Sequence, residues 1–330
     1  MKRRHFLDLS MKSAVLAGFA AKPFRLLAES EKSSTGLVLD DGFIHHHISP
    51  GHPESPQRYQ AIKQEFVEQD LIARTSAISP RDDVDQWLRL VHTRNHIASI
   101  KKLDNHTHHD ASLATAGILA AVDQVCSGRI RNAFCATRPP GHHARNTGQE
   151  EGFCYYNHVA IAARYAQKNY PLKKILIVDW DYHHGNGTEE TFYADPSVLF
   201  FSTHDYNAYP GTGNPAKRGV GKGEGYNINV HMDCGAGDED FIKVFNRILL
   251  PAAEVFAPDL ILISAGFDSR KEDLLGCHEV TDQGFSHLTQ IVMQIAERHC
   301  DGRIVSLLEG GYNIRGNAKA AAAHLNTLML

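Results

Sequence analysis

Short apolar runs alternate with longer amphipathic stretches along most of the chain. Seven apolar runs bounded by turn-forming residues are typical of strands: 37–39, 132–137, 174–179, 197–202, 226–230, 260–265 and 303–308. Apolar positions at helical spacing predict six helices: 61–69, 112–127, 159–168, 241–255, 282–300 and 316–330. This alternation predicts an α/β fold with a mainly parallel central sheet and helices on both faces.

The chain after residue 36 contains no linker, repeat or low-complexity segment, which favours a single domain over residues 31–330. In such folds, ligands bind beyond the carboxyl ends of the strands. Polar residues concentrate after four predicted strands, in the segments RPPGHH (138–143), DWDYHHGNG (179–187), GFD (266–268) and EGGYN (309–313). We therefore expect one active site at this edge of the sheet.

Two of these segments carry the residue types of a metal site. Asp181 and His183 are two residues apart at a strand end, so their side chains point to the same side. Asp268, from another strand end, supplies a third ligand and leaves a fourth position open, which is typical of catalytic zinc. The alternative is that the aspartates only form turns, but this does not explain the adjacent histidines and glycines.

Two further segments carry groups suited to amide hydrolysis. His142 and His143 follow a Pro-Pro-Gly turn, and histidine can act as both base and acid near neutral pH. Tyr312 follows two glycines, and its phenol can donate a hydrogen bond to an oxyanion. The simpler alternatives are loop histidines with satisfied hydrogen bonds and a packed structural tyrosine.

Composition excludes some functions and leaves others open. The net charge of −4 argues against nucleic acid as a partner. The six cysteines form no CxxC pair, so we expect neither a zinc finger nor a disulfide framework, and most should pack as apolar residues. Among the 21 histidines, the tracts 45–47 and 106–109 have no ligand-like neighbours, and we expect both on the surface or in loops.

The first thirty residues resemble a twin-arginine export signal. Arg3-Arg4-His5-Phe6-Leu7 precedes a short apolar stretch that is too brief to span a membrane. Residues 1–30 are therefore predicted to direct the protein to the periplasm or outside the cell, with no membrane span in the mature chain. The alternative is an amphipathic N-terminal helix on a cytoplasmic protein. Residues 1–28 hold six Lys/Arg and one Asp, which leaves −9 on the rest, suited to cationic substrates.

The ordered motifs resemble the histone deacetylase superfamily, in its class II and bacterial deacetylase-like branch. The resemblance covers about residues 37–330 and rests on segments 50–58, 138–143, 152–157, 179–187, 209–213, 266–268 and 309–313. It implies an arginase/deacetylase-like fold with the active site at the carboxyl ends of the strands. Asp181, His183 and Asp268 match the ligands of one zinc ion per chain, for which Fe(II) or Co(II) could substitute.

The resemblance also implies roles for the residues around the metal. His143 matches the general acid–base, and His142 matches the histidine that polarises the water. Asp179 matches the carboxylate that orients His142. Asn186 occupies the partner position of His143, where class I members carry Asp, and this supports the class II assignment. Tyr312 matches the catalytic tyrosine that faces the substrate carbonyl.

Other matched positions concern the substrate and monovalent cations. Phe153 and Tyr209 match the aromatic walls of the acyl-lysine channel. Leu275 stands where acetylpolyamine-selective relatives place a rim glutamate, which favours peptide-like acetyl-lysine. Two potassium sites are implied, one by Asp179, Asp181, His183, Ser202 and Thr203, the other by Phe192, Asp195, Val198 and Tyr226.

The expected function is zinc-dependent hydrolysis of the acetyl amide of N-acetyl-lysine in a protein or peptide. One alternative is deacetylation of acetylpolyamines or other small acylated amines. An arginase-like dimanganese hydrolase would need further aspartates, and a non-catalytic acetyl-group reader would not need this complete set of catalytic groups. The sequence gives no indication of the oligomeric state.

Overall fold

The structure, a computed structural model, describes residues 35–103 and 106–330. Its strands are β1 (Thr35–Val38), β2 (Ser76–Ile78), β3 (Asn132–Cys135), β4 (Ile175–Asp179), β5 (Val198–His204), β6 (Asn227–His231), β7 (Leu260–Ala265) and β8 (Ile304–Leu308). They form one sheet in the order β2-β1-β3-β8-β7-β4-β5-β6, in which every neighbouring pair is parallel. The predicted parallel α/β fold is confirmed.

Helices connect and cover the strands. They are α1 (Pro56–Glu68), α2 (Asp85–Leu88), α3 (Arg94–Ile100), α4 (Thr107–Cys126), α5 (His158–Asn169), α6 (Asn186–Phe192), α7 (Asp238–Val244), α8 (Leu250–Phe256), α9 (Asp282–Cys300) and α10 (Ile314–Leu328). Two apolar clusters form the core, one with residues of α7–α10 and the other with residues of α3–α5.

Strand β4 shows why the central strands appear as continuous apolar runs. Ile175 and Ile177 pack into one apolar cluster, while Leu176 and Val178 pack into the other. All four side chains are buried because helices cover both faces of the sheet. The run therefore lacks the polar alternation of a strand with one wet face.

The structure differs from the predicted elements in short segments and in one long helix. β2, at the sheet edge, has only three residues, and Ser76 and Ala77 are not buried, so no apolar run marks it. The predicted helix 241–255 is interrupted by a π turn, Phe245–Leu249. Pro251 explains the interruption, because proline lacks the N–H that a regular helix needs and its ring clashes with the preceding turn.

Two sequence expectations about cysteine and histidine need correction. Cys234 and Cys277 form a disulfide that joins two loops. The two cysteines are 43 residues apart in the sequence, and no short motif predicts a pairing over that separation. His46 is buried rather than exposed, with Nε2 3.7 Å from Glu54 and Nδ1 3.8 Å from Asp110. The other cysteines are free, and three of those four are buried, as expected.

The predicted export signal, residues 1–30, lies outside the described residues. Within the described part of the chain, no helix combines the length and the apolar character needed to cross a bilayer.

Candidate active site

The four strands that precede the polar segments are neighbours in the middle of the sheet, in the order β3-β8-β7-β4. Because all of them are parallel, their carboxyl ends open onto the same edge. The histidine pair follows β3, Tyr312 follows β8, Asp268 follows β7, and Asp181 with His183 follows β4. The predicted convergence of these segments is confirmed.

Asp181, His183 and Asp268 come together with ligand atoms within 4.8 Å of one another. The Nδ1 atom of His183 lies 3.2 Å from Oδ1 of Asp181 and 3.1 Å from Oδ2 of Asp268. Both aspartates are buried, and backbone amides fix them: Gly310 N–H donates to Asp181 and Tyr182 N–H donates to Asp268. One nitrogen and two oxygen donors with this convergence fit a zinc ion.

The electrostatics of this group also favour a cation. Burial, together with the nearby charge of Asp181, raises the pKa of Asp268 to about 7. Although burial opposes it, hydrogen bonds to both aspartates raise the pKa of His183 to about 10. Two buried carboxylates this close repel one another unless positive charge lies between them. A divalent ion would provide that charge.

Two glycines allow the carboxylates to approach the backbone. A Cβ atom at Gly266 would lie 1.9 Å from Oδ2 of Asp181, and one at Gly310 would lie 2.1 Å from Oδ2 of Asp268. Any larger residue would displace a ligand. This explains why the two strand-end segments carry glycine beside the candidate ligands.

The histidine pair is oriented by one partner for each ring. Nδ1 of His142 lies 3.0 Å from Oδ2 of Asp179, and Nδ1 of His143 lies 2.8 Å from Oδ1 of Asn186, as the resemblance implies. The first turn of α6 also holds the loop, because the amides of Gly187 and Thr188 donate to the carbonyl of His142.

The two histidines have opposite electrostatic environments. Although burial opposes it, Asp181 and Asp179 raise the pKa of His142 well above its usual range. Burial and the neighbouring rings of His142 and His183 hold the pKa of His143 well below its usual range. His143 is therefore the neutral member of the pair at neutral pH and the one suited to accept a proton.

Tyr312 is buried, and its backbone is anchored by a residue that the sequence did not single out. The N–H groups of Tyr312 and Asn313 donate to Oδ2 of Asp273 at 2.7 and 2.9 Å. The guanidinium of Arg58 lies 4.9 Å from the centre of the Tyr312 ring. The sequence gave no signal for this contact, because no short-range pattern links residues 273 and 312.

A cavity of about 580 Å³ opens onto part of this site. His143, His183 and Tyr312 line it together with the predicted channel residues Phe153, Tyr209 and Leu275. Tyr209 is 50% exposed and Leu275 is 38% exposed, which places both at the mouth. Phe153 has a φ of 68°, a left-handed conformation that is strained for a bulky residue and often found at functional sites.

The residues of the implied potassium sites lie around β4, β5 and α6. Strand pairing places Ser202 opposite Asp179, and the Oγ1 atom of Thr203 is buried without a hydrogen-bond partner among the described residues. At the second set, Arg164 lies 2.6 Å from Asp195 and already supplies a cation to that carboxylate.

A buried ion-pair network below the site was not predicted. The carboxylate of Glu54 accepts hydrogen bonds from Arg58 on α1 and from Arg138 in the segment that leads to the histidines. All three side chains are fully buried. Both partner segments were recognised as motifs, but only the three-dimensional contact shows that they are joined.

Comparisons with known proteins agree with this geometry. The family model for the histone deacetylase domain matches residues 52–328. Histone deacetylase 15 of Arabidopsis thaliana is 38% identical, over 92% of this chain and 58% of its own length. Histone deacetylase 9 of Homo sapiens is 35% identical, over 90% of this chain and 34% of its own length. A probable deacetylase of Archaeoglobus fulgidus is 36% identical, over 86% of this chain and 82% of its own length.

The fold has a solved counterpart. The crystal structure of the HDA15 HD domain matches with a TM-score of 0.85 and 38% identity, over 90% of each chain. The plant and human relatives are longer, and the chain spans little more than half of the first and about a third of the second. On the family match and these identities, the chain belongs to the histone deacetylase family.

Proposed function

We propose that the protein is a zinc-dependent deacetylase that hydrolyses the acetyl amide of N-acetyl-lysine in proteins or peptides. One observation carries the proposal: His183 of the three-ligand group, His143 of the histidine pair and Tyr312 all line the same cavity. Three protein ligands leave an open position, which a structural metal site would not.

Each residue of the site has a separate role in the proposed hydrolysis. Asp181, His183 and Asp268 would hold the zinc, which when bound supplies a Lewis acid and lowers the pKa of water. The Nδ1 of His143 bonds to the oxygen of Asn186 and therefore carries a proton, which leaves Nε2 free to accept one from water. The same atom can then return the proton to the departing amine. Tyr312 donates its phenol hydrogen to the negative charge that develops on the carbonyl oxygen.

The walls of the cavity suit a linear aliphatic stem. Phe153 and Tyr209 present aromatic rings, and Phe153 packs edge-on against Tyr312 with ring centres 5.8 Å apart. Leu275 adds an apolar side chain at the rim rather than a carboxylate. This combination favours an acyl-lysine stem, whose methylene groups are apolar and whose peptide backbone would remain at the mouth.

One observation favours a second substrate class, small acylated amines that carry another positive charge. Glu150 lines the cavity, is exposed, and has no ion pair among the described residues. Its neighbour Glu151 is already paired with Arg145. The Glu150 carboxylate accepts a hydrogen bond from the N–H of Phe153 but is paired with no cationic side chain in the described part of the chain, so it would attract the remaining ammonium of an acetylated diamine.

We also propose that K⁺ binds beside β4 and β5, where Asp179 and Ser202 are paired, as in the implied first site. A dimanganese hydrolase is disfavoured because Asp181, His183 and Asp268 are the one metal-competent group found among residues 35–103 and 106–330. A non-catalytic reader would not need the oriented histidines.

The test measures metal content and acetate release on the purified protein. We expect one zinc per chain, acetate release from acetyl-lysine peptides, loss of activity with a chelator, and recovery with zinc. Acetylated diamines assayed at the same concentrations separate the two substrate classes. Two manganese ions per chain with ureohydrolase activity, or bound zinc without hydrolysis of any acylated amine, would contradict the proposal.

A further inference from the structure

The loop that carries the histidine pair is held from below by a buried acid to which the reaction assigns no role. The backbone N–H of Gly141 donates to Oε2 of Glu309 at 2.6 Å, and the N–H of His142 donates to the same oxygen at 3.2 Å. Glu309 lies 168 residues from Gly141 in the sequence and immediately follows β8. The contact therefore depends entirely on the neighbouring positions of β3 and β8.

The same carboxyl group connects the rest of the site. Its other oxygen, Oε1, accepts a hydrogen bond from Ser264 Oγ on β7 at 3.0 Å. The next residue after Glu309 is Gly310, whose N–H donates to the candidate metal ligand Asp181. Glu309 thus joins the histidine loop and β7 at the point where the chain turns towards Tyr312.

We propose that Glu309 is a positioning residue for the histidine pair and sets where His142 and His143 stand relative to the candidate metal ligands. The inference rests on the proposed deacetylase function and adds a residue that contacts neither substrate nor metal. Its side chain is fully buried, so in the intact protein solvent water does not compete with it as the acceptor for the two amides.

The positioning depends on the acceptor oxygen and not on a charge. Burial, only partly offset by His142, raises the pKa of Glu309 to about 7, so both forms exist near neutral pH. A protonated carboxyl group would place its hydrogen on Oε1, towards Ser264, and leave Oε2 free to accept both amides. Glutamine has the same shape and can do the same, with its NH₂ group facing Ser264.

This reasoning predicts an ordered series of variants. Glu309→Ala removes the acceptor, and Glu309→Asp withdraws it by one methylene group. Both should lower kcat by roughly 10- to 100-fold, because a displacement of about 1 Å in a catalytic group can cost on that order. KM should change little, since the cavity walls are elsewhere. Glu309→Gln should recover most of the lost kcat.

The chain offers a matched control at the other end of the strands, where β4 and β7 begin. Oδ2 of Asp259 also accepts two consecutive backbone amides, those of Lys173 and Lys174, at 2.7 and 2.9 Å. Asp259→Ala removes the same kind of contact next to the amino ends of β4 and β7. We expect it to lower the melting temperature while leaving kcat and KM at wild-type values.

The experiment compares kcat, KM and zinc content of the variants on one acetyl-lysine peptide, with hydrogen exchange of segment 139–144 as a readout independent of activity. Exchange there should accelerate roughly tenfold or more in Glu309→Ala and Glu309→Asp, but not in Glu309→Gln.

If the Ala variant does not fold, the Asp variant provides the test of the proposal. The proposal would be overturned by a wild-type kcat in a folded Glu309→Ala or Glu309→Asp variant. It would also be overturned if Glu309→Gln were as impaired as Glu309→Ala, or if Asp259→Ala lost as much kcat. An inactive wild-type protein would instead contradict the proposed function, and hydrogen exchange would still test the anchoring.

Discussion

Single residues decide whether the candidate metal centre exists at all. Asp268 is fully buried and contacts Nδ1 of His183 through one oxygen and the amide of Tyr182 through the other. Asp268→Ala should therefore remove zinc and activity together, whereas Asp268→Asn should keep the fold but bind metal weakly, because an amide oxygen is a poorer ligand. Metal analysis of both dialysed variants beside an activity assay checks this. Full zinc occupancy in the Ala variant would exclude Asp268 as a ligand.

The histidine and the tyrosine should be separable by pH. His143→Ala removes general acid–base help worth about 10²–10⁴-fold and should flatten the pH–rate profile, because the titrating base is gone. Tyr312→Phe removes one oxyanion donor, worth roughly 10²–10³-fold, and should keep the shape of the profile. Burial lowers the pKa of His143, so the wild-type rate should fall only in acid, where this group becomes protonated.

Zinc content serves as the control for both variants, since neither residue is a ligand in this arrangement. Wild-type turnover in Tyr312→Phe would leave Tyr312 as a packed loop residue, and an unchanged acid limb in His143→Ala would assign the titration to another group.

At this scale the sequence predicted the reacting groups, and the family resemblance implied the partners of the two histidine rings, but the residues that hold the loop backbones were missed. Asp181, His183 and Tyr312 could be found because each stands at a strand end, where chemistry is expected. Asp273 and Glu309 hold backbone amides in distant loops. Such contacts depend on which strands are neighbours, and the local pattern of apolar positions does not predict the order of the strands.

Among elements, the link between α1 and the segment after β3 depends on one buried carboxylate. Glu54 pairs with Arg58 and with Arg138, and all three are fully buried. Glu54→Ala would leave two buried guanidinium groups without their partner. Loss of one member of such a group typically costs about 3–5 kcal/mol. Urea unfolding should show a decrease of this order in the free energy of unfolding.

The same buried group of Glu54, Arg58 and Arg138 predicts how the stability depends on pH, with a definite sign. Burial alone would raise the pKa of Glu54, but Arg138 and Arg58 outweigh it and lower the value. A lowered pKa means that the stabilisation is present above the unfolded value of about 4.3 and is lost as the pH falls through the folded value. The acid loss of stability should therefore be shallower in Glu54→Ala. Lys63→Ala, which removes an exposed pair with Asp41, is the control and should cost at most about 1 kcal/mol.

Elements differed in how well sequence could predict them. The long helices and central strands were found because ten or more periodic positions, or a fully apolar run, outweigh local exceptions. The three-residue β2 and the four-residue α2 are too short to show a period. The π turn before Pro251 was missed because the apolar pattern continues through it, while the backbone responds to the missing N–H.

For the whole molecule, we propose an oxidising compartment, and two separate features support this proposal. Cys234 and Cys277 form a disulfide, a bond that persists mainly in secreted and periplasmic proteins. The sequence at 1–30 resembles a twin-arginine signal, a pathway that exports folded proteins. A folded enzyme could acquire its metal before export and form the disulfide afterwards, because both cysteines lie in loops that meet in the folded chain.

Export of this protein is therefore our last prediction. Residues 1–35 fused to a reporter that is active only after twin-arginine export should produce active reporter in a bacterial host. Arg3→Lys combined with Arg4→Lys should abolish it, because the paired guanidinium groups are the feature that the pathway reads and lysine keeps only the charge. Lys2→Arg, which changes the adjacent residue and leaves the pair intact, is the control and should still export. Fractionation of the full-length chain gives the decisive comparison, and recovery in the periplasm would support the signal. Retention in the cytoplasm, with the reporter equally active in the double variant, would show that the two arginines are not an export signal.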